Sequence, residues 1–344
     1  MVTDFEVAGH ALVGRDLEIR SVRISVEKGE IREIEEVRTA PPVWICPALV
    51  NAHTHIGDTV AMDLPWSGSL EELVTPPDGL KHRILQDTPR EALRAGMRAS
   101  IGVMAGAGIA GFADFREGGE DGVRDLKRAA EGLPCRPVAF GRDGGERIGE
   151  GLGISSIRDC PGVEQSVARA HREGKLVAFH AGERDPLDID GALAFDPDLL
   201  VHCTHAGDNQ LREMADRGIP VVVCPRSNWI LGVASSAANP PIGRMLDLGI
   251  PVLLGTDNAM FVQPVLWQEM AFLSTVYRID PREILRSAIR GSEFLFSPAF
   301  IEVGSPARLL VIDPALSNFS SSRDPVTTLV KRVGPSDIRE RYLF

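Results

Sequence analysis

The 344-residue sequence lacks several features that whole classes of protein depend on. Its five cysteines include no Cys-x-x-Cys pair, which argues against both a disulfide framework and a zinc ribbon and fits a reducing cytoplasm. No apolar run approaches the roughly 18 residues that cross a bilayer, and the first 18 residues contain no apolar segment typical of an export signal. We therefore expect a cytoplasmic protein with no membrane partner.

Basic residues are outnumbered as well, with 37 lysines and arginines against 48 aspartates and glutamates and a formal net charge of -11. A chain without a basic surface does not attract the nucleic-acid backbone, so we expect a small-molecule substrate and no nucleic-acid partner. The sequence leaves open whether the protein is a homo-oligomer. With 44% hydrophobic residues, the chain can bury the core of one large domain with a small appendage.

The pattern of apolar residues changes after the first 45 positions. Those positions alternate apolar and polar residues around a Lys28-Gly29 turn, which is typical of antiparallel strands. Short apolar runs then alternate with helical stretches at 90–107, 122–131, 162–173, 208–217 and 240–248. The runs, which we interpret as eight strands, occupy 44–50, 109–115, 136–140, 152–157, 176–179, 199–201, 219–223 and 250–254. Eight such β/α units predict an α/β fold with a (β/α)8 TIM barrel.

The tail returns to a strand-like pattern at 308–312 and 326–333. We predict that both chain ends build one small β-sandwich domain from residues 1–47 and 303–344, beside a barrel formed by residues 48–302. The segment 58–88 contains Pro65, Pro76 and Pro77 and has no clear periodicity. A long loop of this kind serves either as a lid or substrate wall or as a plain surface excursion, and the sequence does not separate the two.

The histidines carry the most chemical information, because five of the eight lie at or just after the ends of predicted strands. In a TIM barrel these carboxyl ends form the active-site face. His53 and His55 flank one residue on an extended backbone, so both side chains point to the same side. With His180 after strand five and Asp257 after strand eight, they form a ligand set that suits Zn²⁺, with Fe²⁺ or Mn²⁺ as alternatives, and leaves a position for water.

The order His-x-His, His, His, Asp over strands one, five, six and eight resembles that of the amidohydrolase superfamily. Five segments resemble its cytosine, guanine and adenosine-type deaminase branch: PALVNAHTH (47–55), HAGE (180–183), VHCTH (201–205), CPRSN (224–228) and LGTD (254–257). The resemblance covers nearly the whole chain and implies hydrolysis of a carbon–nitrogen bond. Binuclear members carry a bridging lysine on strand four, but the segment LGISSI (152–157) has none, so we expect one metal ion.

The resemblance also implies roles for the remaining polar residues. Glu183 corresponds to a proton shuttle, Asp257 to a ligand that also acts as base toward the attacking water, and His202 to a residue that orients or polarises this water. Two alternatives stay open: Glu183 could be a surface partner of Arg184, and His205 could take the place of His202.

Further residues are candidates for substrate contact. Ser227 and Asn228 lie in the segment that resembles the substrate-side loop of the family, where such residues often orient neighbouring loops. Arg116, Glu117 and Arg142 follow predicted strands two and three at the same rim, although rim arginines are commonly just solvated.

Three functions are compatible with this interpretation of the sequence. The leading hypothesis is hydrolytic deamination of an amino-substituted heterocycle, such as a nucleobase, a nucleoside or an adenosine derivative. Hydrolysis of a cyclic or linear amide on the same site is the second. The third is a non-catalytic barrel that binds a purine-like ligand without converting it. The complete set of candidate catalytic and metal-binding residues argues against this third function.

Overall fold

Two β-sheets organise the chain in the computed structural model, which describes residues 4–63, 68, 70–74, 79–158 and 162–343. The strands are β1 (Phe5–Val13), β2 (Glu18–Glu27), β3 (Glu30–Glu36), β4 (Trp44–Pro47), β5 (Leu49–His55), β6 (Ile109–Arg116), β7 (Arg136–Gly141), β8 (Gly151–Ile154), β9 (Leu176–Ala181), β10 (Leu199–His202), β11 (Val221–Val223), β12 (Val252–Leu254), β13 (Asp257–Asn258), β14 (Leu309–Ile312) and β15 (Ile338–Tyr342).

The larger sheet runs in sequence order from β5 to β12, and every neighbouring pair of strands in it is parallel. The eighth strand is in two parts. Its first part, β12, pairs with β11, while its continuation, β13, pairs with β5 through Asp257 and Thr54. This exchange joins the last strand to the first, and the predicted (β/α)8 barrel is confirmed. The strands are buried along nearly their whole length, as expected when a parallel sheet is covered on both faces.

Helices alternate with these strands. Their bounds are α1 (Leu70–Val74), α2 (Leu80–Asp87), α3 (Arg90–Gly106), α4 (Gly119–Ala130), α5 (Val163–Arg172), α6 (Ile189–Leu193), α7 (Asp208–Arg217), α8 (Pro225–Ile230), α9 (Ile242–Asp247), α10 (Leu266–Phe272), α11 (Pro281–Leu295) and α12 (Pro325–Arg332). In α3, Met97, Ile101 and Met104 recur at helical spacing and form the buried stripe against the barrel. The five predicted helices all occur, with ends that differ by at most three residues.

One connection of the barrel has no α-helix. Between β7 and β8, residues 142–150 contain only a 3-10 turn at Gly145–Arg147. A cavity of about 960 Å³ lies in this region, lined by residues of α2, α3, α4 and α5 and by Arg116, Glu117 and Arg142. The missing helix therefore leaves open space that reaches the carboxyl ends of the strands.

The smaller sheet has the order β15-β14-β4-β1-β2-β3, so both ends of the chain contribute to it, as predicted. Two details of the prediction are wrong. The run 44–50 divides between the two sheets, with Trp44–Pro47 in the small one and Leu49–His55 in the barrel. The run 326–333 belongs to helix α12, because the Asp324 carboxylate accepts hydrogen bonds from the backbone N–H groups of Val326 and Thr327 and caps the first turn.

The segment 58–88 is more regular than its sequence suggests. A 3-10 helix at Ile56–Ala61 extends into its start and the helices α1 and α2 lie within it, so the expectation of one long loop is corrected. Pro65, Pro76 and Pro77 lie outside the described residues. Over the described ranges, the structure has no helix that combines the length and the apolar character needed to cross a membrane.

Gly108 provides a test of how the barrel joins the small sheet. It has a φ of +81°, and a Cβ there would lie 2.6 Å from Cδ1 of Leu310 in β14. We expect Gly108→Ala to lower the free energy of unfolding by about 1–3 kcal/mol, through backbone strain and overpacking. Gly106→Ala is the matched control, since its Cβ would meet nothing within 4 Å at the end of α3. Denaturant unfolding should show the control unchanged or stabilised by up to about 1 kcal/mol; equal losses would contradict this packing.

Candidate metal and catalytic site

Five polar side chains meet at the carboxyl end of the barrel. They are His53 and His55 on β5, His180 on β9, His202 at the end of β10 and Asp257 at the start of β13, each at most 7% exposed. The ligand atoms of His53, His55 and His180 all lie within 4.8 Å of one another, as do those of His53, His202 and Asp257. The structure thus brings together all the residues that the sequence singled out as metal ligands, together with the candidate that orients water.

Backbone carbonyl groups fix the orientation of two of these imidazoles. Nδ1 of His55 lies 3.1 Å from the Phe115 carbonyl oxygen, and Nδ1 of His180 lies 2.9 Å from that of Ile154. Both Nδ1–H groups therefore donate outward, and the two Nε2 atoms face each other at 3.4 Å. Two nitrogen lone pairs repel at that distance unless a cation or a proton lies between them, so this arrangement fits a metal ion.

Asp257 completes the set. Its Oδ1 lies 3.2 Å from Nε2 of His53 and 3.6 Å from Nε2 of His55, and its Oδ2 accepts a 2.6 Å hydrogen bond from the Ser227 hydroxyl. Because Ser227 holds Oδ2, the other carboxylate oxygen, Oδ1, is left directed at the imidazoles. The backbone of Asp257 lies in the left-handed region, with a φ of +62°.

Burial sets the protonation states. It lowers the pKa of His53 to about 4 and holds the pKa of His55 and of His180 well below the ordinary value. Burial raises the pKa of Asp257, but the hydrogen bond to His53 and the neighbouring imidazoles outweigh this, so that it lies well below its ordinary value. Three neutral imidazoles and one carboxylate are the donors that zinc and other first-row divalent ions prefer.

His202 and Glu183 line a cavity of about 70 Å³ next to these ligands. Nδ1 of His202 lies 3.1 Å from Oδ1 of Asn228, and Nε2 lies 3.7 Å from Oε1 of Glu183. Burial raises the pKa of Glu183 above its ordinary value, although the neighbouring His202 opposes this. His202 lines this cavity, whereas His205 is only partly buried and donates its backbone N–H to the carbonyl of Gly182.

The residues predicted to contact the substrate have different surroundings in the structure. Ser227 and Asn228 lie at the site, but their side chains hold Asp257 and His202. Arg116 is 3% exposed, with its guanidinium 3.4 Å from Asp114, so its charge is occupied within the protein.

Arg142 lies between the two cavities and lines both of them. Its guanidinium lies 3.5 Å from the carboxylate of Glu117, which itself lies 3.2 Å from Nδ1 of His55.

Several supporting residues were not found from the sequence. Glu269 is fully buried and accepts hydrogen bonds from the backbone N–H and the Nε of Arg226, which holds the start of α8. The carboxylate of Asp114 accepts a hydrogen bond from the Ile56 N–H and fixes the chain after His55. Lys81 lines the smaller cavity from α2. No motif or period marks these residues, since their partners are distant in sequence.

Two family models match the chain. The model described as "Adenosine deaminase" matches residues 137–301, and the model described as "Amidohydrolase family" matches residues 44–145. Together they cover most of the barrel strands that carry the site.

Individual proteins give the same result. A provisionally named aminohydrolase of Methanothermobacter thermautotrophicus is 34% identical over 96% of this chain and 95% of its own length. A 5-methylthioadenosine/S-adenosylhomocysteine deaminase of Haloarcula marismortui is 26% identical over 98% of this chain and 91% of its own. A crystal structure of an adenosine deaminase from Xanthomonas campestris with bound zinc shares the fold, with a TM-score of 0.74, 15% identity and coverage of 98% of this chain and 91% of the other. The chain belongs to the amidohydrolase superfamily.

Proposed function

We propose that the protein is a zinc-dependent hydrolytic deaminase of an amino-substituted heterocycle carried by an adenosine-like molecule. The observation that carries this proposal is the convergence of His55, His180 and Asp257 on one buried point, with the raised-pKa carboxyl group of Glu183 beside the same small cavity. A cation site next to an acid that can hold a proton is what displacement of ammonia by water requires.

His53, His55, His180 and Asp257 would hold the metal ion. We propose one ion, because β8 contains no lysine that could bridge a second. When bound, zinc lowers the pKa of water toward about 7 and so makes hydroxide available at neutral pH.

The protein's own residues then direct the proton transfers. Asp257, held by Ser227, accepts a proton from the attacking water, while His202, held by Asn228, presents Nε2 toward that water. The water oxygen bonds to the amino-bearing ring carbon while Glu183 gives its proton to the ring nitrogen; the proton held by Asp257 then passes to the amino group, and the remaining hydroxyl proton returns to Glu183. The carbon–nitrogen bond breaks, ammonia leaves, and the ring keeps the oxygen.

The sizes of the two cavities favour a substrate larger than a free base. The cavity at the metal ligands is about 70 Å³, whereas small-molecule sites usually span about 300–1,000 Å³. The larger cavity, about 960 Å³, shares Arg142 and Ser155 with the smaller one. A substrate with its ring in the smaller cavity at the metal and a substituent in the larger cavity, near the β7–β8 connection that lacks an α-helix, would occupy both cavities. The name of the Haloarcula relative, a deaminase of two adenosine derivatives, supports the same class of substrate.

Ammonia release tests this function directly. Zinc-loaded protein is incubated with adenine, guanine, adenosine, adenosine derivatives substituted at the 5′ position, and cyclic amides, and ammonia and ring opening are both measured. We expect ammonia from an adenosine derivative, with a kcat/KM at least tenfold above that for adenine. Opening of a cyclic amide without ammonia release would replace the proposal with an amide hydrolase, and tight ligand binding without any turnover would replace it with a binding protein.

Glu183 and His180 have separable roles in this mechanism. Glu183→Gln should keep its zinc content while kcat falls by a factor on the order of 10² or more, because the amide cannot carry the proton. His180→Asn should lose zinc as well as activity, because a carboxamide replaces an imidazole ligand poorly. Metal analysis and steady-state kinetics measure the two effects.

Glu164→Gln is the control, since Glu164 is an exposed glutamate on α5 and should keep both zinc and kcat. Equal zinc loss in the Glu183 and His180 variants would make Glu183 a ligand or a structural support. Full activity of Glu183→Gln would remove its catalytic role.

A further inference from the structure

A buried lysine lies beside the proposed metal site without belonging to its ligand set. Lys81, in the first turn of α2, is 2% exposed and lines the same 70 Å³ cavity as His55 and Asp257. Its ammonium nitrogen lies 3.0 Å from Oδ2 of Asp58 and 2.9 Å from Oε1 of Glu117. Burying an ammonium group costs several kcal/mol unless anions compensate it, so these two carboxylates explain how Lys81 can lie inside the protein.

Glu117 connects this lysine to the metal ligands. The same Oε1 atom that contacts Lys81 lies 3.2 Å from Nδ1 of His55 and 3.5 Å from a guanidinium nitrogen of Arg142. The other carboxylate oxygen, Oε2, pairs with Arg116. One carboxylate oxygen therefore lies between the ammonium of α2 and the outward-facing nitrogen of a candidate ligand.

This arrangement has a consequence for metal binding. The Nδ1–H of His55 donates to the Phe115 carbonyl, and the carboxylate beside the same nitrogen adds negative charge that makes Nε2 a stronger donor; loss of such an outer partner typically weakens metal binding by about 10–100-fold. A buried carboxylate stays ionised and in place only if its charge is balanced.

The cluster contains three basic side chains and three carboxyl groups, and burial raises the pKa of one of these carboxyl groups, Asp58, to about 7. The three cations Lys81, Arg116 and Arg142 lie among three carboxylates, those of Asp58, Asp114 and Glu117. Arg116 is shared with Asp114, and Arg142 is farther from Glu117 than Lys81 is. Removing the ammonium of Lys81 would leave an excess of negative charge in a buried cluster, and Glu117 would then have to move, take up a proton or bind an ion.

We propose that Lys81 is a positioning residue of the metal centre, whose ammonium group holds Glu117 against Nδ1 of His55 and so strengthens metal binding from a helix outside the barrel strands. This inference rests on the proposed metal site. It also assigns a role to α2 in the segment 58–88, because this helix supplies the ammonium group of Lys81 that holds Glu117 beside the proposed metal ligand His55.

Zinc affinity tests this role without any substrate. Zinc Kd is measured by chelator competition for the wild type, Lys81→Met, Lys81→Arg and Glu117→Gln. We expect Lys81→Met to raise Kd by about tenfold or more, and Lys81→Arg to recover most of this loss because it keeps the positive charge. Arg83→Met is the matched control, since Arg83 is an exposed cation on the same helix and should leave Kd within about twofold. The visible absorption of the Co²⁺-loaded protein should change in Lys81→Met and not in the control.

A double-mutant cycle decides whether Lys81 acts through Glu117. In the Glu117→Gln background, Lys81→Met should add less than about twofold to the zinc Kd, because the carboxylate on which the lysine acts is already gone. An equal loss in both backgrounds would overturn the proposal, as would a Lys81→Met protein with wild-type zinc affinity and an unchanged Co²⁺ spectrum.

A charge-compensated variant covers the case in which Lys81→Met does not fold. Lys81→Met combined with Asp58→Asn removes one buried cation and one buried anion, and it should show the same loss of zinc affinity; wild-type affinity would overturn the proposal. A wild-type protein that binds no zinc would overturn both the metal site and the role of Lys81. If zinc binds but no substrate releases ammonia, the proposed function fails, while the zinc affinities still decide the role of Lys81.

Discussion

The close approach of the buried His55 and His180 Nε2 atoms, 3.4 Å apart, is the constraint on which the rest of the site depends. Two lone pairs tolerate that distance only around a shared cation or proton, and burial keeps both imidazoles neutral. The barrel produces this convergence because strands far apart in sequence end at the same face, and the backbone carbonyls of Phe115 and Ile154 turn each ring so that Nε2 points inward.

Outer contacts hold the catalytic side chains in place. The segment after β11 supplies Ser227 to Asp257 and Asn228 to His202, and the fully buried Glu269 anchors this segment through Arg226. The serine and the asparagine are therefore better described as positioning residues than as substrate contacts. On the other side of the site, a cluster of paired charges surrounds His55. We propose that the substrate binds in the opening between these two supports.

The sequence predicted the barrel and the candidate ligands because both follow local patterns. Short apolar runs mark the strands, and His53, His180 and Asp257 each come at the end of such a run. Helix α12 was missed because β-branched residues such as Val326 suggest a strand, whereas the cap from Asp324 favours a helix. The cluster around Lys81 could not be predicted, since its partners are brought together only by the tertiary fold and no period or motif links them.

Anomalous diffraction at the zinc edge from crystals of the zinc-loaded protein tests the central claim most directly. The account predicts one peak per chain, with His53, His55, His180 and Asp257 bound to it at about 2.0–2.2 Å. Two strong peaks at the site would contradict the single-metal centre, and a peak bound by other residues, or no peak at all, would contradict the ligand assignment on which the proposed chemistry rests.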